Sequence, residues 1–86
     1  MFTVDLIRIN HNASQGLENL RRSLEIQHQI TKHDFQNLFV LEIESHRNYL
    51  EKTSNEQITL EDAEIDWINR GYRDDFFNYW APRINV

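Results

Sequence analysis

At 86 residues, with 40% hydrophobic and 12% aromatic side chains, the chain suits one small domain with a marginal core and argues against a disordered segment. The absence of cysteine excludes disulfides and thiolate metal sites, and two glycines with one proline disfavour a turn-rich β fold. The net charge of −5 is uneven: residues 34–66 hold nine acidic and two basic groups, while residues 1–33 and 67–86 are each +1, so the basic face needed to grip a phosphate backbone is not expected.

Residues 2–9 alternate loosely, with Phe2, Val4 and Leu6 on one side, and read as a short strand or extended arm within 1–13. Asp5 and the lack of a basic lead-in argue against a signal peptide, and no segment approaches the roughly 20 apolar residues that span a bilayer. A cytoplasmic protein without membrane contact is the expectation. Arg83-Ile84-Asn85 echoes Arg8-Ile9-Asn10, so the two ends could pair as edge strands.

Ser14 is placed to cap a first helix from about Gln15. Leu17, Leu20, Leu24 and His28 share one face, with Ile26 and Ile30 opposite, so this helix is expected to touch two neighbours. At Thr31 two readings compete. Thr31 as N-cap, Asp34 at N3 and the Ile30/Phe35 staple announce a new helix. Yet no glycine or proline separates residues 17 and 54, and the apolar phase runs on through Phe35, Leu38, Glu42, His46 and Tyr49. A continuous helix of about 38 residues would reach about 57 Å and need a second chain to cover its stripe. Ordinary helix lengths favour the hairpin.

Residues 52–56 form a polar loop, after which Thr59 caps a third helix with Asp62 at N3. Leu60, Ala63, Glu64, Trp67, Ile68 and Gly71 share its face. The stripe then shifts to Tyr72, Phe76, Tyr79 and Trp80, marking Gly71 as a kink or C-cap, and Pro82 ends the last helix. The expected fold is mainly α: a small three- to four-helix bundle in a single domain spanning 1–86, with an arm over 1–13, a helical core over 14–80 and a tail over 81–86.

Glu42 and His46 stand out because they intrude into an apolar stripe one turn apart. They could satisfy each other in a partly dry place, form a proton-linked switch, or offer two metal ligands. Opposite them in a hairpin lie roughly Leu24 and Leu20, which cannot ligate, so further ligands would have to come from Glu61 or Glu64 or from another chain. A structural ion pair is the plainer reading, and no metal or cofactor is expected. Glu25-x-x-His28 matches one element of a di-iron bundle, but the second element is missing. No phosphate loop, serine elbow or zincin helix is present, so no enzyme activity is expected.

The aromatic C-terminal helix offers a different kind of site. Tyr72, Phe76 and Trp80 are expected to point inward and Phe77 outward, with Arg70, Arg73 and Arg83 as a polar rim. Five acids between Glu56 and Asp66 add a charged face. Together these give an expected partner surface of Glu56, Glu61, Asp62, Tyr72, Arg73, Phe77 and Trp80. The leading expectation is a non-enzymatic protein–protein interaction module, an adaptor, regulator or assembly subunit, binding a protein partner or itself as a homodimer. A metal- or pH-responsive regulator built on Glu42 and His46 is one alternative. An acidic inhibitor of a nucleic-acid-binding enzyme is the other.

Overall fold

The computed structural model describes residues 15–27 and 29–84, and among these it is a small mainly α-helical bundle. Helix α1 spans Gln15–Ile26, α2 Lys32–Ser54, α3 Leu60–Asn69 and α4 Tyr72–Trp80, followed by a 3₁₀ turn at Ala81–Arg83. The expected arm at 1–13 and the Ser14 cap lie outside the described residues, as does His28.

The chain breaks between α1 and α2, so the hairpin is the structure adopted. The Thr31 hydroxyl accepts from the Asp34 amide at 3.0 Å, and the Asp34 carboxylate accepts from the Thr31 amide at 3.2 Å. Two of the orphan donors at the start of α2 are thereby satisfied. Ile30, in the link, is buried, and its amide donates to the Arg83 carbonyl at 2.8 Å. This pairing extends to a parallel bridge between Ile30 and Ile84. The end of the chain therefore docks on the α1–α2 link. The expected second contact of α1 through Ile26 is not made: Ile26 is exposed, and Ile30 serves the core from beyond the helix.

Helix α2 runs to Ser54, three residues into the expected loop, and stops at Asn55 in the left-handed conformation (φ 59°). The Glu51 carboxylate accepts from the Ile58 amide at 3.0 Å and ties down the connection. Thr59 caps α3 by accepting from the Asp62 amide at 3.0 Å. Gly71 then turns the chain with φ 84°, where a side chain would be strained. The core gathers Leu17 and Leu24 of α1, Leu38 and Ile43 of α2, Ala63 and Trp67 of α3, and Phe76 and Trp80 of α4. The buried face of α3 is narrower than its periodicity implies. Ala63 and Trp67 are inside, whereas Leu60 and Ile68 are exposed at its border.

Candidate functional site

Glu42 and His46 are both buried, and each has its own partner from another helix. Arg21 of α1 donates from Nε (3.1 Å) and Nη2 (2.7 Å) to Glu42 Oε2. Arg21, not Leu24, is what the hairpin sets against Glu42. Its turn lies nearer the N-terminus than the sequence implies, because α1 stops at Ile26. A signal for Arg21 exists: it lies between Leu17 and Leu24 at i+4 and i+7 spacing, inside the apolar stripe. A guanidinium there requires a buried anion.

His46, 1% exposed, places Nε2 at 2.7 Å from Asp66 Oδ2 on α3. Asp66 in turn accepts from Arg70 Nε at 2.7 Å. Partial burial acts to raise the Asp66 pKa, but the His46 hydrogen bond and the Arg70 charge outweigh it and hold the carboxyl below its ordinary value. An ionised carboxylate only accepts, so His46 donates from Nε2. The Arg70 pKa is raised: burial opposes, and the bonds to Tyr72 and Asp66 prevail. The imidazole stacks on Tyr49 (centroids 6.0 Å apart) and meets Tyr72 edge-on at 5.7 Å. This is a closed cluster binding α2, α3 and the start of α4 together. Among the described residues no three His, Asp or Glu side chains converge as metal ligands. The third-helix acid that reaches the site is Asp66, and not Glu61 or Glu64.

The expected partner surface divides. Trp80 is 2% exposed and belongs to the core. Tyr72 is half-buried against His46. Phe77 is half-buried as well and has an internal role: its ring stands perpendicular to Phe35 at 5.2 Å and nearly so to Phe39 at 6.5 Å. Arg73 is exposed and covers the Phe77 ring at 5.0 Å. Arg83 stacks over Tyr79 at 4.4 Å and bonds to Glu25 and the Tyr79 hydroxyl, which ties the tail to α1 instead of forming a rim. Glu56, Glu61 and Asp62 are exposed.

What the sequence reading missed is an apolar strip on the flank of α2 and α3. Val40 (51% exposed) and Leu60 (43%) are exposed here, while Ile65 (51%) and Ile68 (38%) are exposed further along α3 and Ile26 at the end of α1. Phe35, Gln36, Phe39, Val40 and Phe77 line one shallow groove. Phe39, Val40, Ile43, Leu60, Glu61 and Glu64 line a second. Phe39 and Val40 join the two. Leu60, Glu64 and Ile68 follow at four-residue spacing along α3, with Glu61 and Ile65 forming the next row. A signal was available in the surplus of apolar residues on α3, which exceeds what one buried face can take.

No protein-family model matches the chain, and comparison with curated proteins and with solved structures finds no significant match. No helix among the described residues is long and apolar enough to cross a membrane.

Proposed function

We propose that the chain is a non-enzymatic protein–protein interaction module that docks a partner on the Val40 flank of α2 and α3. The observation that carries this reading is a pair of joined apolar grooves, in which the exposed side chains of Val40 and Leu60 lie beside Phe35, Phe39, Ile43 and Phe77. Scattered single hydrophobics need no explanation, but a contiguous strip with a polar rim is the usual form of a binding surface. Glu61 contributes to that rim directly, and Phe77 with its Arg73 cover closes the end near Phe35. The reading therefore keeps Glu61, Arg73 and Phe77 from the expected surface and moves its centre from α4 to Val40. The non-enzymatic part is supported by His46, the best-placed acid–base group, which is itself buried and spends Nε2 on Asp66. Arg21 pairs with Glu42 and Asp66 with Nε2 of His46, a structural reading of both buried groups, while Nδ1 of His46 has no hydrogen-bond partner among the described residues.

The test is site-specific photo-crosslinking of the full chain in its native cell. A crosslinker replacing Gln36 beside the groove should capture a defined protein that Val40→Asp eliminates. One replacing Ser23, exposed on α1, should not. Equal capture from both positions, or capture indifferent to Val40→Asp, overturns the assignment.

A further inference from the structure

We infer that the occupant of the Val40 flank is a basic amphipathic helix from another protein, an inference that rests on the docking surface proposed above. The floor of the flank is apolar from Phe35 to Ile43 along α2, about 12 Å at the helical rise of ~1.5 Å per residue. That length accepts the i, i+4 and i+7 side chains of one laid-down helix, the standard groove-binding pattern.

Charge then distinguishes the occupants. Glu61 and Glu64 line the second groove directly. Three other acids meet cations of this chain, Glu42 with Arg21, Asp66 with Arg70 and Glu25 with Arg83, and half-buried Glu51 accepts from the Ile58 amide. Neither Glu61 nor Glu64 has an ion-pair partner among the described residues. Arg73 covers Phe77 at the other end of the flank. An extended basic segment without apolar anchors would leave Val40 and Leu60 in water. A helix with apolar side chains on one face and lysine or arginine beside them satisfies both the floor and the rim. Its basic residues sit over Glu61 and Glu64, and its apolar row covers Val40 and Leu60.

The test is selection from a displayed random peptide library of about 16 residues, roughly four helical turns, on the immobilised full chain. It is run in parallel on Val40→Asp and on the double variant Glu61→Gln with Glu64→Gln. All three sites are exposed or half-buried, and thermal melts should confirm an intact fold. The expected pool is net basic with apolar residues at helical spacing. It should be lost on Val40→Asp, and on the double variant it should bind about tenfold more weakly, a change of ~1.4 kcal/mol. A neutral or acidic pool that Val40→Asp removes overturns the basic partner while leaving the docking surface standing. A basic pool that Val40→Asp retains is charge attraction alone and overturns both. Failure to enrich any pool overturns the inference. If light scattering then shows a dimer that Val40→Asp dissolves, the occupant is a second copy.

Discussion

Arg21 and Glu42 place a full ion pair where the surrounding stripe calls for leucine. Their side chains come from helices on either side of the hairpin turn, and both are almost wholly removed from water. Such a pair is costly to desolvate and adds little net stability, but breaking it strands the remaining charge, at about 3–5 kcal/mol. That is comparable with the whole stability of a small domain, about 5–10 kcal/mol. Arg21→Met and Glu42→Leu alone should each lower the urea midpoint sharply, while the two together should recover most of it. A double variant as damaged as the sum of the singles would mean that the charges are not coupled. Asp66 behaves differently because its side chain is 36% exposed and water screens its bonds. Its lowered pKa makes its contribution full above the unfolded value, about 3.9, and lost as pH falls through the folded value. Asp66→Asn should therefore be less stable than the parent at neutral pH and equal to it in strong acid. Urea midpoints measured from neutral to acid pH test the convergence.

Helix boundaries in this chain divide into those set locally and those set by distant contacts. The start of α2, the start of α3 and the turn before α4 were legible in the sequence because a hydroxyl, a carboxylate three residues on, or a glycine is sufficient cause. The end of α1 was not legible. Gln27 and Gln29 carry no stop signal, and the apolar phase passes straight through; the chain leaves the helix where the Ile30 amide meets the Arg83 carbonyl, 53 positions away in sequence. The same limit hid the partners of Glu42 and His46, since residue spacing reveals a buried charge but not what crosses to meet it. Gly71 tests the local class. A methyl group built there meets nothing within 4 Å, so a substitution has only the left-handed backbone to contend with. Gly71→Ala should cost about 1 kcal/mol, close to the ~1 kcal/mol expected for removing the Thr31 cap with Thr31→Ala. Thermal melts of the two variants should agree closely. A much larger loss at Gly71 would point to packing instead of backbone conformation.

Among the described residues, α1 packs Leu17 and Leu24 into the core and has two polar attachments besides. At its middle, Arg21 holds it to α2. At its C-terminal end, α4 and the tail hold it: Glu25 bonds to the Tyr79 hydroxyl of α4 and to Arg83 of the tail, and Ile30 pairs with residues 83 and 84. The α2–α3–α4 unit, by contrast, is joined by the Phe39–Trp67–Phe76 ring cluster and by the His46–Asp66–Arg70 chain, none of which needs the tail. The two groups of contacts are thus separable, and local opening should follow that division. Deleting residues 81–86 uncovers Ile30, whose buried side chain is worth ~1.5–3 kcal/mol, and removes Arg83 from Glu25. Hydrogen exchange should then accelerate through α1 and the link to α2, while amides of α3 and the centre of α2 keep their protection. Loss of protection spread evenly over all four helices would mean that the tail completes one cooperative core. Confinement of the loss to α1 would identify the tail as a strap that holds this helix against the unit carrying the Val40 flank.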